Sequence, residues 1–311
     1  MLCVVHMKLS VATCQFPTSA DIRSNFQYVS QLMKQAREQG ADVAHFPEAC
    51  LSGYASADME SYAGFDWQLL HEYTYQLLAL AGELELWTIL GSTHQLSAPH
   101  KPHNSLYIIS DRGQLIDRYD KRFCWGDASE TTGDLAHYTS GNHLSVFAIK
   151  GIRCGVLICH DYRYPELYRA YKRRGVQLML HSYHAAHISV ERFKRMEAAV
   201  GKEHHACSRG TTYPGITMPA TMIAAAASSH MWISCPNSSA RESCWGSFFV
   251  RADGVITGQL ERHRTDILFS IVDTEADLYD STRAWRDQAL AGVLHSGSLV
   301  HDERSEKRTE V

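Results

Sequence analysis

Apolar and polar positions along the chain switch repeatedly between short runs or alternations, the mark of strands, and 3.6-residue stripes, the mark of amphipathic helices. "KLSVATCQF" (Lys8–Phe16) reads as a strand, and Asp21 to Gly40 as a helix closed by a C-terminal glycine. "ADVAHFPE" (Ala41–Glu48) is a buried strand ending on a carboxylate, Trp67 to Glu85 a second helix, and "LWTILGSTHQL" a further strand. "NSLYIISDRGQLIDRYDK" (Asn104–Lys121) is a hairpin turning at Asp111–Gly113, and "HLSVFAIKGIRCGVLIC" (His143–Cys159) another turning at Lys150–Gly151. Glu166 to Gly175 is a helix and "VQLMLHSY" an apolar strand. Ala220 to Ser228 is again a helix, and "HMWISCPN" a strand. "WGSFFVRADGVITGQL" is a hairpin turning at Asp253–Gly254, and "RTDILFSIVD" the last strand. Strands alternating with helices, with hairpins among them, predict an α/β fold with mixed sheets.

No proline-, glycine- or serine-rich linker and no fixed repeat divides the 311 residues, so a single domain is expected. Its core spans about 8–273, followed by an extension over 274–311 whose last stretch, "HDERSEKRTEV" (301–311), is charged and reads as disordered or loosely attached. The composition, 45% hydrophobic and 21% charged, is that of a soluble globular protein. A net charge of −4 argues against a nucleic-acid or membrane-surface partner, and no apolar run approaches a membrane span. The N-terminus lacks a secretory pattern, and Met7 offers an alternative start. Nine cysteines are scattered without a CxxC pair. That usage suggests reduced thiols in a cytoplasmic protein, and argues against disulfides and a zinc finger.

Three reactive side chains stand at predicted strand ends: Glu48 after "VAHFP", Lys121 after "LIDRYD" and Cys159 after "GVLI". Strand ends in α/β folds converge on one rim, where ligands bind. A carboxylate, an ammonium and a thiol there supply a base, an oxyanion stabiliser and a nucleophile. Singly, each has a plainer reading: Glu48 a helix-start cap, Lys121 a solvated charge, Cys159 a core thiol.

Taken in order, "FPEACLSGY", "NSLYIISDRGQLIDRYDK" and "GVLICHDYRYPELYR" resemble the three signatures of the carbon–nitrogen hydrolase (nitrilase) superfamily. The resemblance runs from Lys8 to about Asp273 and includes the Gly-Ser of "ILGSTHQ" and the "WGSFFVRADG" hairpin. It implies an αββα sandwich, two mixed sheets between helical layers, assembled as a homodimer or higher homo-oligomer. It implies Glu48 as general base, Lys121 as transition-state stabiliser and Cys159 as nucleophile, cleaving a small amide through a thioester with neither metal nor organic cofactor. Glu130, in "ASETTGDLAHYTSGN", falls where amidase members often carry a second glutamate; its alternative is an exposed loop carboxylate.

His160-Asp161 after the cysteine is similar to the amidase and N-carbamoyl hydrolase branches rather than to nitrilases, which usually place Trp-Glu there. His160 would offer its backbone N–H to the oxyanion. Arg163 matches an arginine of members acting on carboxylate-bearing amides or N-carbamoyl amino acids, the alternative being an ion pair with Asp161 or Glu166. Tyr54 is a pocket wall or a core aromatic. In "HSYHAAH" (His181–His187), Tyr183 and His184 are candidate pocket residues, while neither this cluster nor "EHHAC" (Glu203–Cys207) matches a known zinc signature. The chain departs from its relatives over 188–219, a longer connection that reads as helical at Val190–Val200 and suits a lid or specificity loop. The expected activity is therefore hydrolysis of a small linear amide or ureide. A nitrilase and a catalytically silent metabolite-binding protein are the alternatives.

Overall fold

The computed structural model describes residues 8–309; the alternative start at Met7 lies outside them. The strands are β1 (Lys8–Gln15), β2 (Val43–His45), β3 (Trp87–His94), β4 (His103–Ile109), β5 (Leu115–Asp120), β6 (Val146–Ile149), β7 (Ile152–Ile158), β8 (Leu178–Ser182), β9 (Trp232–Cys235), β10 (Phe248–Val250), β11 (Ile256–Gln259) and β12 (Asp266–Asp273). The helices are α1 (Ile22–Glu38), α2 (Trp67–Glu83), α3 (Pro165–Arg173), α4 (Val190–Val200), α5 (His205–Ser208), α6 (Tyr213–Ser229), α7 (Arg286–Leu290) and α8 (Glu303–Glu306). Two six-stranded sheets result, in the orders β12-β1-β2-β3-β4-β5 and β11-β10-β9-β8-β7-β6. Each is mixed: β1-β2-β3 and β7-β8-β9 are parallel and the remaining pairs antiparallel.

Period-two alternation explains the layering. In β1, Leu9 and Val11 point into a core shared with Val156, Ile158 and Leu180 of the second sheet. The intervening Ala12 and Cys14, with Phe16, face Val29, Leu32 and Met33 of α1 and Leu77 of α2. On the far side, Tyr168 and Tyr171 of α3 and Met222 and Ala226 of α6 bury against the second sheet. The architecture is thus the expected αββα sandwich.

A polar bridge crosses the sheet interface close to Glu48. His45 at the end of β2 hydrogen-bonds through Nδ1 to Ser234 Oγ (2.8 Å) and through Nε2 to Ser182 Oγ (2.9 Å), and Ser234 also meets Thr13 Oγ1 at 2.7 Å. Burial, then the nearby His181, hold the His45 pKa well below its usual value, so the bridge is neutral. With every partner satisfied, it fixes the register of β2 against β8 and β9.

Two boundaries differ from expectation. β2 stops at His45 rather than running to Glu48, because Pro47 lacks an N–H for the ladder and turns the chain out of the sheet. α6 begins at Tyr213, well before Ala220. Thr212 caps it by accepting from Gly215 N at 3.2 Å, and Pro214 occupies the first turn, where no intrahelical N–H is needed. Pro214 and Gly215 are loop signals in sequence, which hides this start. Residues 303–306 of the C-terminal stretch form one exposed helical turn.

The turn after β2 lies directly on β3. A Cβ on Gly91 would sit 2.0 Å from Pro47 O and 2.7 Å from Ala49 N, so only glycine lets Glu48 approach so closely. Gly91→Ala should therefore destabilise the protein by about 3 kcal/mol and lower turnover at the same time. Urea unfolding midpoints and initial rates on one preparation check both.

Candidate active site

β2 and β3 run parallel, and two antiparallel steps through β4 bring β5 back to the same direction. Glu48, beyond β2, and Lys121, directly after β5, therefore emerge on one edge of the first sheet. Cys159 follows β7 and His184 follows β8 on the edge of the second. These edges meet: the main-chain N–H of Glu48 donates to Tyr183 O at 3.2 Å. Cys159 is also the first residue of a 3₁₀ turn, Cys159–Arg163, and has φ +39°, a left-handed conformation that costs a non-glycine residue about 1–3 kcal/mol.

The 3₁₀ turn is held by Asp161. Its buried carboxylate accepts from Ile158 N (3.0 Å), Phe123 N (2.8 Å) and Tyr119 OH (2.8 Å), tying the nucleophile's turn to the segment after Lys121. Burial pushes its pKa up to about 6 against the pull of those donors. With its lone pairs so used, Asp161 does not pair with Arg163.

Lys121 is buried, 1% exposed at its side chain, between two carboxylates that are fully buried. Its Nζ lies 2.8 Å from Glu48 Oε1 and 2.7 Å from Asp134 Oδ2. Burial opposes the ammonium, but Asp134 and Glu48 outweigh it and hold the Lys121 pKa well above the usual range. Asn104 Nδ2 adds a donor to Glu48 Oε1 at 2.8 Å. Asp134 accepts from Trp125 N at 2.9 Å and from the Tyr54 hydroxyl. One atom is left over: Glu48 Oε2 is buried and has no hydrogen-bond partner among the described residues. Burial, then the Glu48 carboxylate, drive the Cys159 thiol well above its ordinary pKa, while Lys121 and the His184 main-chain N–H pull it back.

Lys121 and Cys159 open on a cavity of about 460 Å³ that is also lined by Tyr54, His160, Arg163 and Arg192. The wall over it comes from the 188–219 connection: Arg192 and Met196 from α4, and Pro214 and Met218 from α6. His160 is neutral, its pKa lowered to about 4 by burial and by Lys121. Arg163 is exposed, with its guanidinium 4.7 Å from the Tyr162 ring centroid, and Arg192 stands 5.8 Å from that of Trp125. Among the described residues no Asp or Glu lines this cavity.

Two sequence expectations, Glu130 and Tyr183, are corrected. Glu130 does not join the site: it is exposed, and its main-chain oxygen accepts from Lys101 Nζ at 3.3 Å. Asp134, in the following 3₁₀ turn (Gly133–Ala136), supplies the second carboxylate on Lys121. Spacing alone did not distinguish two acidic residues on one loop. Tyr183 is a core residue, fully buried, stacked on His181 and donating to Met222 Sδ at 2.9 Å. His184 lines the cavity, but its side chain is fully buried beneath Tyr54, with rings 5.2 Å apart and 18° from parallel. His184 and His187 share Asp58, whose oxygens lie 3.0 Å from His184 Nε2 and 2.7 Å from His187 Nδ1. Among the described residues no group of three or more His, Cys, Asp or Glu is disposed to hold a metal.

Comparison with known proteins identifies a family and a shared fold. The carbon–nitrogen hydrolase family profile matches residues 10–284. A human deaminated glutathione amidase is 26% identical over 179 residues, covering 54% of this chain and 54% of that protein. A Xenopus tropicalis omega-amidase is 26% identical over 179 residues, covering 56% of this chain and 63% of its own. The chain thus aligns with between about half and two-thirds of the length of these relatives. The crystal structure of an amidase from Nesterenkonia sp. superposes with a TM-score of 0.66 at 20% identity, over 93% of this chain and 97% of that one, and shares the fold.

Proposed function

Because the chain belongs to the carbon–nitrogen hydrolase family, we propose that it hydrolyses a small linear amide through a thioester on Cys159. The observation that carries this reading is the Lys121 ammonium bridging Glu48 and Asp134 beside Cys159, with Glu48 Oε2 left without a partner. A related case supports it: a variant of the Nesterenkonia amidase shows covalent addition of the acetamide moiety of fluoroacetamide at its active-site cysteine.

The resting nucleophile is the thiol, so Glu48 takes its proton through Oε2 as sulfur attacks the amide carbon. The carbonyl oxygen becomes an anion facing the Lys121 ammonium and the N–H of His160 in the first turn after Cys159, where helical N–H groups lack internal partners. Lys121 spends two of its three hydrogens on Glu48 and Asp134, which leaves one for that oxygen. Glu48 then returns its proton to the leaving nitrogen, the C–N bond breaks, and ammonia or an amine departs. Water, deprotonated by Glu48, attacks the thioester; collapse releases the acid and restores the thiol.

Two guanidiniums and no carboxylate at the mouth favour a substrate whose far end is anionic, the amide of a dicarboxylic acid or an N-carbamoyl amino acid. Arg163→Ala should raise KM for such substrates about 10- to 100-fold, the worth of one charged hydrogen bond, with kcat little changed and neutral amides unaffected. Steady-state kinetics on a paired set of neutral and carboxylate-bearing amides and ureides, read by ammonia release, tests both levels. Equal efficiency on neutral and anionic members would remove the anionic preference, and no turnover of any would remove the amidase reading. The unpaired thiols at Cys14, Cys50, Cys154 and Cys235, all buried, accord with a reducing, cytoplasmic setting. Among the described residues no helix is long and apolar enough to cross a membrane.

A further inference from the structure

Asp58 lies outside the reacting centre, yet its side chain is as buried as that of Glu48 and both its oxygens are engaged. Its side chain is 0% exposed, and one carboxylate receives three donors: His184 Nε2 at 3.0 Å, His187 Nδ1 at 2.7 Å and the main-chain N–H of Tyr54 at 2.9 Å. The two imidazoles differ. His187 is 45% exposed at its side chain, whereas the His184 ring is 0% exposed and has its other nitrogen, Nδ1, buried without a partner among the described residues. A ring with an orphaned polar atom is costly to bury unless the remaining contact holds it firmly. Asp58 supplies that contact.

His184 in turn touches the machinery in two ways. Its ring stacks on Tyr54, whose hydroxyl donates to Asp134, and Asp134 holds Lys121. Its main-chain N–H helps pull the Cys159 thiol back toward its ordinary pKa, while the carbonyl of the same peptide unit, on Tyr183, accepts from Glu48 N at 3.2 Å. One peptide therefore meets both the nucleophile and the backbone of the base, and the side chain that anchors it ends on Asp58.

We propose that Asp58 and His184 are positioning residues for the proposed hydrolysis: the buried carboxylate fixes the imidazole, and the imidazole fixes both the Tyr183–His184 peptide against Cys159 and the Tyr54 ring that carries Asp134. This rests on Cys159 being the nucleophile, and its effects are read first at the sulfur, without any substrate. The charged or titratable groups facing Cys159 are Glu48, Lys121, Asp134 and the phenols of Tyr54, Tyr162 and Tyr183; those facing His184 are Asp58 and Glu48; those facing Asp58 are His184 and His187. Burial lowers and Asp58 more than restores the His184 pKa, which ends above its usual value.

The direction of one shift separates positioning from simple charge. With the His184 ring already deprotonated, at the alkaline pH where this buried thiol titrates, removing the negative charge at Asp58 acts by Coulomb's law to favour the thiolate and lower the thiol pKa. Releasing the His184 N–H from the sulfur disfavours the thiolate and raises it. The test is the pH dependence of Cys159 carbamidomethylation by iodoacetamide, located by peptide mass mapping, in the full chain and in Asp58→Asn, His184→Gln and His187→Gln. Asp58→Asn and His184→Gln should move the alkylation midpoint up by about one unit and lower kcat about tenfold while KM changes little. His187→Gln, which replaces the exposed donor and leaves the His184–Asp58 contact, should shift the midpoint less than either. A midpoint that stays or falls in Asp58→Asn and His184→Gln overturns the proposal. If Asp58→Asn fails to fold, His184→Gln alone decides, since Gln fills the buried site without the rigid ring that stacks on Tyr54. Normal alkylation shifts without turnover of any amide would retain the positioning role and discard the hydrolase reading.

Discussion

Cys159→Ala should fold like the parent and lose amide turnover by at least about 10⁴-fold, the scale seen when a covalent nucleophile is removed. The fold should survive because alanine keeps the Cβ and removes only a thiol that points at the cavity beside an unpartnered carboxylate oxygen. The turn that places it is held by Asp161 and not by the sulfur. Ammonia release measured over hours, with thermal unfolding as the control, checks this. Residual activity within about tenfold of the parent would mean that another group performs the attack.

Lys121→Met is expected to cost both activity and stability, and its pH dependence carries the information. It removes the ammonium from between two carboxylates that are each 0% exposed, and breaking such a pair typically costs about 3–5 kcal/mol. In the parent, burial would push the Asp134 carboxyl up, but Lys121, through charge and hydrogen bond, holds it below the usual value. A carboxyl so depressed adds stability above its unfolded pKa, about 3.9, and loses it as pH falls through the folded value. Without Lys121 burial prevails, the folded pKa rises above the unfolded one, and stability is instead lost as pH rises through it. Lys121→Met should therefore be markedly less stable than the parent at pH 8 and approach it near pH 4. Turnover should fall by about 10³-fold or more with the loss of the oxyanion donor. Denaturant unfolding of both proteins across that range tests the inversion; parallel curves would show that Lys121 does not bear on the buried carboxylates.

The α/β class with mixed sheets was legible in the chain because it depends on local patterns, whereas the αββα layering followed from the resemblance to the carbon–nitrogen hydrolase superfamily. Apolar alternation marks the strands, and Glu48, Lys121 and Cys159 each stand at or just past the end of one. Strand direction then brings the three together, as the topology of β2, β5 and β7 shows. Asp134 was not legible. It lies on an irregular loop beside Glu130 and other acidic residues, and the choice among them depends on how Trp125 N and the Tyr54 hydroxyl fold that loop back over Lys121. His184 was seen as a pocket residue, but the inward turn of its ring depends on Asp58, 126 positions away. The start of α6 was hidden by Pro214 and Gly215, which are loop signals in sequence although the first turn of a capped helix tolerates proline, and by Pro219 in the helix interior.

The central claim is that Cys159 carries the acyl group during amide hydrolysis. Intact-protein mass spectrometry, with rapid acid quench during turnover of a carboxylate-bearing amide and peptide mapping of the product, tests it most directly. The expected result is an adduct equal to the substrate less ammonia, confined to the peptide containing Cys159, labile to hydroxylamine and missing from Cys159→Ala. Turnover with no adduct at any quench time, retained in Cys159→Ala, would contradict it.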